Sequence, residues 1–285
     1  LSDSLGKLRR FQESKMGESL PPAYRIKAER AYNALPPLFP IAGTFLIIGL
    51  VMLAAAMRRM IRGNFSSTRV GKKYVPEIFK IVGVAAAFVF FLVLTIVLGL
   101  FWIASGHIPF SNGAETMLTI AWTAMLASVL SFKRFSIMLP FGIIVASLAA
   151  LVSAMGNANP AVTQLMPVLS SPLLSIHVSL MMLSYTVLAI IMVNGICGLV
   201  ASLRHTSVSD SASAKMARMS EALMYPALFF LGSGIIAGSI WANVSWGCYW
   251  NWDPKETWAL ITLLIYAVAL HRSDIPFLRK PAVFH

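Results

Sequence analysis

"FKIVGVAAAFVFFLVLTIVLGLFWIA", residues 79 to 104, carries one charge, Lys80, and that charge stands at its start. A helix rises about 1.5 Å per residue, so about 20 apolar residues cross the hydrocarbon core of a bilayer. The same reading along the chain predicts seven such helices, at 38–57, 79–104, 115–132, 135–155, 178–202, 223–242 and 255–271. Composition agrees: of 285 residues 58% are hydrophobic and only 12% are charged, outside the range of soluble globular domains. The expected fold class is all-α, a polytopic transmembrane helical bundle of about seven spans.

A net charge of +12 raises the question of nucleic acid, and the placement of the charge answers it. The connecting segments 58–80, 133–134, 203–222 and 271–285 hold fifteen Lys/Arg residues, from Arg58 to Lys280. The opposite set, 105–114, 156–177 and 243–254 with the helix start just after it, holds one, Lys255. The positive-inside rule puts the first set in the cytoplasm and the second outside. The basic balance is therefore mostly topology, the partner surface is lipid, and a nucleic-acid partner is excluded.

Residues 1–37 depart from this pattern, with seven Lys/Arg and four acidic residues on the outer side. "GESLPPAYRIKAERAYNALPPLFP" (17–40) suits a short amphipathic or extended tail at the end of an external domain. A disordered tail accounts for the composition equally well. Leu1 opens no secretory signal pattern, and the expectation is that a longer protein precedes it. The two cysteines, Cys197 in an apolar run and Cys248 near the last span, imply no disulfide framework.

The outer side also holds "WANVSWGCYWNWDPKETWALITLLIYAVALH", residues 241 to 271, with five of the seven tryptophans. Its Asp253-Pro254-Lys255-Glu256 reads as an N-cap, a proline at N1 and an acidic N3, which start the last span. That leaves Trp246, Trp250 and Trp252 unexplained. Interfacial belts spread their indoles over several helix ends, whereas these share one segment. A flat apolar ligand with polar edges explains the gathering: indole faces stack, while N–H groups and a helix N-terminus receive carboxylates. Haem has that chemistry, and its iron takes imidazole; a quinone is the competing flat ligand and needs no axial ligand.

Two histidines become candidate iron ligands. His177 stands where an external loop enters a helix, in the same outer layer as the tryptophans. A packing or hydrogen-bonding role is the plainer account of a lone interfacial histidine. His271 lies 17 residues past Pro254, about 25 Å along a helix, and so near the cytoplasmic end. One haem cannot bridge the two, so two sites at two depths are implied if both bind. A snorkelling interfacial histidine is the alternative for His271. His107 sits in a turn-like "GHIPFSN", and His205 and His285 lie in polar cytoplasmic segments.

"WGCYWNWDPKETWALIT" (246–262) resembles the WWD motif of the haem-handling proteins of cytochrome c biogenesis, in the CcsA (ResC) branch of System II. The similarity continues through "GHIPFSNGAET", "LMPVLSSPLLSIHVSLMMLSY" and the "LH" closing the last span, covering about residues 79 to 280. The resemblance divides the chain into a 1–37 junction from a preceding domain and a CcsA-like transmembrane domain at 38–285, as in fused CcsBA synthases. It implies a holocytochrome c synthase (haem lyase) in the bacterial cytoplasmic membrane. Such a protein takes haem b through a membrane site and presents it externally to the CXXCH motif of apocytochrome c. By motif, His177 is similar to the first external axial ligand and His271 to the CcsA-side histidine of the membrane site. Trp246, Trp250, Trp252, Asp253 and Trp258 match the WWD core and would bind the haem. The resemblance also implies a CcsB part as partner, and a further span with a second external histidine beyond His285.

Catalysis in that reading is positioning, and no general acid or base is assigned. A CcmC-like exporter that hands haem to a separate ligase is the alternative. A transmembrane bis-His electron carrier would need paired histidines inside the apolar runs, which this sequence lacks. With no CXXCH of its own, the chain is not a c-type cytochrome.

Overall fold

The computed structural model describes residues 2–17, 21–61, 74–110, 112–133, 135–155, 171–203, 207–272 and 274–276. Among these the chain is helical, without strands: α1 (Ser2–Met16), α2 (Ala23–Asn33), α3 (Leu38–Ile61), α4 (Tyr74–Ser105), α5 (Gly113–Ser131), α6 (Met138–Met155), α7 (Pro172–Ser202), α8 (Ser207–Trp246) and α9 (Pro254–Leu270). In lipid the backbone must satisfy its own hydrogen bonds, so long apolar runs without charge become helices. Each of the seven expected segments corresponds to one helix, α3 to α9. Six of them, α3 to α8, contain stretches long and apolar enough to cross a membrane. The remaining one, α9, has 17 residues, about 25 Å, at the short end of spanning length.

Boundaries differ most at the starts of three helices. Helix α4 begins at Tyr74 rather than 79. Helix α7 begins at Pro172 rather than 178, with Ser171 at the N-cap and the proline at N1, where its missing N–H costs nothing. Helix α8 runs 40 residues from Ser207, absorbing most of the expected 203–222 connection and Pro226. That extension is amphipathic: Ala212, Met216 and Met219 are buried at helical spacing, and Asn194 of α7 donates to the Met216 carbonyl (2.8 Å) and Ser220 (2.6 Å).

Helix α6 is buried nearly all round, from Met138 to Ala150, and packs chiefly against α3 and α5. Phe90, Met125, Phe141 and Ile143 are fully enclosed in this core, and Phe45 stacks on Phe90 at 4.3 Å. Close approach depends on small residues. A side chain at Gly142 would run into Ser128 of α5, and one at Gly49 into Ile143 at 2.9 Å. A second core joins α7, α8 and α9 through Met181, Leu188, Leu231 and Ala259. Ile47, Ile81, Phe229 and Ile236 remain exposed on the outer helix faces, the surface that lipid covers in this multi-pass membrane protein.

The amino-terminal residues are helical rather than extended. Helix α2 packs on α4, with Ala28 buried and Tyr32 edge-on to Phe101 at 5.7 Å. The Arg25 guanidinium fills the space beside Gly106, whose φ of +71° turns the chain after α4.

Gly142→Val should lower the stability of the detergent-solubilised protein by about 1–3 kcal/mol, because Ser128 cannot yield to an added side chain without moving α5. Gly43→Ala, which faces open space, should cause no loss. Thermal unfolding of the two variants beside the parent checks both.

Candidate functional site

The tryptophan-rich segment is a short bridge between two well-terminated helices. Helix α8 ends at Trp246; Gly247, at φ +76°, returns its N–H to the Asn243 carbonyl at 2.9 Å and turns the chain out of the helix. Helix α9 starts as the D-P-K-E spelling predicts. The Asp253 carboxylate accepts from the backbone N–H of Lys255 (2.6 Å) and Glu256 (3.1 Å), with Pro254 at N1. The Glu256 carboxylate reaches back past the cap to the Asn251 N–H at 2.9 Å. The Cys248 thiol donates toward the Trp250 carbonyl (3.2 Å) and Asn251 Oδ1 (3.1 Å). These bonds brace residues 248–256 from inside the segment.

Held this way, three of the five indoles face outward. Trp246, Trp252 and Trp258 are 65%, 70% and 67% exposed. Trp250 meets Trp252 edge-on at 5.8 Å, and Trp241 meets Trp246 edge-on at 6.4 Å, so neither pair is face-stacked. The indole N–H groups of Trp241 and Trp250 are buried without an acceptor. Trp252 has φ +56°, a left-handed conformation that a bulky residue adopts only when its surroundings enforce it. The segment therefore combines exposed apolar faces with two buried, unpaired N–H groups and one residue in a left-handed conformation.

His177 lies within α7, in its second turn, rather than at the loop boundary expected for it, because Ser171-Pro172 start the helix earlier. Its Nδ1 is 2.7 Å from the carbonyl of Gly234 on α8. A carbonyl only accepts, so Nδ1 carries a proton, and in the neutral ring the lone pair is then on Nε2. Gly238 stands against the same ring: a Cβ there would lie 2.5 Å from Nδ1 and 2.6 Å from Cε1. Trp246 follows Gly238 by eight residues, about 12 Å further along α8. His177 and the tryptophans thus share one end of the molecule.

His271 is at the other end. It caps α9, is exposed, and donates Nδ1–H to the Ala267 carbonyl at 2.8 Å, again leaving Nε2 free. The adjacent Arg272 pairs with Glu221 of α8 at 3.0 Å. From Glu221 to Gly238 is 17 residues, about 25 Å of helix, so the two histidines stand roughly a hydrocarbon thickness apart. A cavity of about 340 Å³ opens between α7, α8 and α9 beside this end, lined by Met192, Ile196, Ser220, Met224 and Tyr266. His107 lies in the α4–α5 turn, its Nδ1 3.0 Å from the Ile108 carbonyl. His205 and His285 lie outside the described residues.

Two features escaped the sequence reading. One is the glycine pair on α8, whose Gly234-Ile-Ile-Ala-Gly238 spacing is the available signal. The other is Glu115, 4% exposed at the start of α5, where Asn112 caps the helix and also donates to the Glu115 carboxylate at 2.9 Å. It lines a cavity of about 150 Å³ with Tyr32, Phe101 and Ser153. Burial, assisted by the Glu115 charge, raises the pKa of the Tyr32 hydroxyl above its ordinary value.

Asp253→Ala should loosen the first turn of α9 by about 1 kcal/mol, whereas Asp253→Asn, an equally good cap, should keep it closed. Hydrogen exchange at the Lys255 and Glu256 amides measures the difference.

Residues 110–283 match the Cytochrome C assembly protein family. The chain is 31% identical over 265 residues to Protein NrfI of Wolinella succinogenes, covering 92% of this chain and 28% of that protein. It is 35% identical over 229 residues to the cytochrome c biogenesis protein CcsA of Guillardia theta, covering 70% of this chain and 74% of the relative. With CcsA of Chlamydomonas reinhardtii the identity is 34% over 195 residues, 63% of this chain and 54% of the relative. The chain thus spans well under a third of NrfI. The family match takes in more than half of the chain, the tryptophan segment, His177 and His271 among it, and by that extent the chain belongs to the cytochrome c assembly family, as a multi-pass membrane protein of CcsA type.

Proposed function

We propose that this protein is the haem-handling part of a holocytochrome c synthase. It receives haem b near His271, moves it across the membrane and presents it beside His177 for attachment to the CXXCH motif of apocytochrome c. The observation that carries the reading is the placement of His177. An imidazole whose Nδ1 is held by another helix is a ready axial ligand, and it stands at the same end as the five indoles, three of them exposed. The lone-pair geometry by itself does not single it out, since His271 and His107 also bond through Nδ1. What distinguishes His177 is that its anchor comes from a separate helix, whereas theirs come from adjoining backbone.

In this reading the tryptophan end is external and the His271 end cytoplasmic, following the fifteen-to-one distribution of Lys/Arg. The membrane is the bacterial cytoplasmic membrane. Residues 1–37 form the junction to a preceding CcsB-type part, and 38–285 the transmembrane domain. The haem is substrate. Each thioether forms when a cysteine thiol adds across a haem vinyl group, sulfur to the carbon next to the ring and hydrogen to the terminal carbon, with no net redox change. The protein's contribution is orientation. His177 holds the iron, and Trp246, Trp250, Trp252 and Trp258 supply apolar faces and exclude water. Asp253 keeps the segment in shape through the α9 cap. His271, beside the 340 Å³ cavity, serves the earlier membrane site.

His177→Gly should abolish the low-spin haem spectrum and cytochrome maturation, and added imidazole should restore both; an unchanged spectrum with unchanged maturation removes His177 as a ligand. Replacing Trp250 and Trp252 together by Ala should weaken haem retention about five- to a hundredfold, at about 0.5–1.5 kcal/mol per ring. Full retention with full activity reduces the segment to a membrane anchor. Haem accumulation without covalent product on a CXXCH substrate would identify the exporter alternative.

A further inference from the structure

The contact between α7 and α8 deepens the reading of His177 and rests on it. Three close approaches follow one another along the antiparallel pair. The His177 ring lies against Gly238 and bonds to the Gly234 carbonyl, Met181 lies against Gly234, and the Ser184 hydroxyl donates to the Ala227 carbonyl at 2.9 Å. A methyl group at Gly234 would meet the Met181 sulfur at 2.8 Å, the flexible end of a side chain that can give way. A methyl at Gly238 would meet a rigid ring at 2.5–2.6 Å, and the ring can yield only by leaving its hydrogen bond. Gly232, two residues before the pair, faces open space. Of these approaches, the one at Gly238 is against a ring that cannot give way.

We propose that Gly234 and Gly238 of α8 are positioning residues for the iron ligand: the missing side chain at Gly238 creates the imidazole's seat, and the Gly234 carbonyl fixes its proton on Nδ1. The chemistry of a haem ligand makes both necessary. Iron bonds a nitrogen lone pair, so Nε2 must be unprotonated, and the hydrogen bond to the carbonyl sets that tautomer and makes Nε2 a better donor. The ring must also hold one orientation while a large substrate arrives and leaves. A seat formed from backbone rather than from another side chain does this without a rotamer of its own to control. The two glycines touch no haem in this arrangement; they act through His177.

The test compares the full-length protein with Gly238→Ala, Gly232→Ala, His177→Gly and the His177→Gly/Gly238→Ala double variant. Each is loaded with haem b in detergent, and its absorption spectrum is recorded with and without imidazole. Gly238→Ala should lose the low-spin spectrum, with at least a tenfold fall in haem retention that imidazole reverses, while Gly232→Ala matches the parent. The double variant should be no worse than His177→Gly, because the added methyl then has room. A folded Gly238→Ala with the parental spectrum overturns the positioning role and leaves the haem reading intact. A parental spectrum in His177→Gly overturns the haem reading itself. If Gly238→Ala fails to fold, the double variant should fold; its failure too would show that the methyl clashes with something other than His177, and that would overturn the proposal.

Discussion

The packing of α7 against α8 is the constraint on which the arrangement of this molecule depends. Two glycines on α8 let the helices approach closely enough for an imidazole to lie on bare backbone, and the Gly234 carbonyl takes its proton. In lipid no hydrophobic force drives helices together, so tight van der Waals contact and a few interhelical hydrogen bonds determine who packs with whom. Asn194 with Ser220 near one end of the pair and Ser184 with Ala227 in the middle continue the same seam. Helix α7 also belongs to the core around α6, with Ile190, Val193 and Cys197 packed there. It thereby joins the α3–α6 group to the α8–α9 pair, and any ligand held by His177 is referred to the whole bundle.

The tryptophan segment rests on that frame at its two ends only. A left-handed glycine stops α8 and an aspartate cap starts α9, and between them Glu256, Asn251 and Cys248 bond to neighbours in sequence. The outcome is a braced strip on which Trp246, Tyr249 and Trp252 stay exposed while Trp250 is partly covered. Exposed indole beside exposed aliphatic surface is ordinary at a membrane boundary. Two buried indole N–H groups without acceptors and a tryptophan at positive φ are not.

His271 and His177 illustrate how one element order separates two chemically similar groups. Helix α9 returns along α8, and the Arg272–Glu221 pair ties its far end there. Both imidazoles bond through Nδ1, yet one is anchored across helices and partly covered while the other is exposed on a helix cap. On the proposed reading the difference suits their tasks. A ligand that presents haem for reaction must be fixed, and one beside an open groove between α7, α8 and α9 has room to receive it.

Apolar length, charge placement and the D-P-K-E cap were legible in the sequence because each acts locally. Uncharged runs of about 20 residues must become helices in lipid, and Asp-Pro-x-Glu closes a helix start with its own atoms. The family resemblance was legible for the same reason, since its motif is continuous over 246–262. The extent of α8 was misjudged because its first turns are polar on one face and gain stability from burying Met216 and Met219, a partner-dependent effect. The sequence by itself thus determined that this is a helical membrane bundle with a tryptophan-rich joint and two histidines far apart along it. Only the tertiary structure decided that His177 meets Gly234 and Gly238, which proton it carries, and which indoles lose their hydrogen-bond partners. Those facts depend on how one helix lies on another, and no single stretch of chain encodes a distance between two helices.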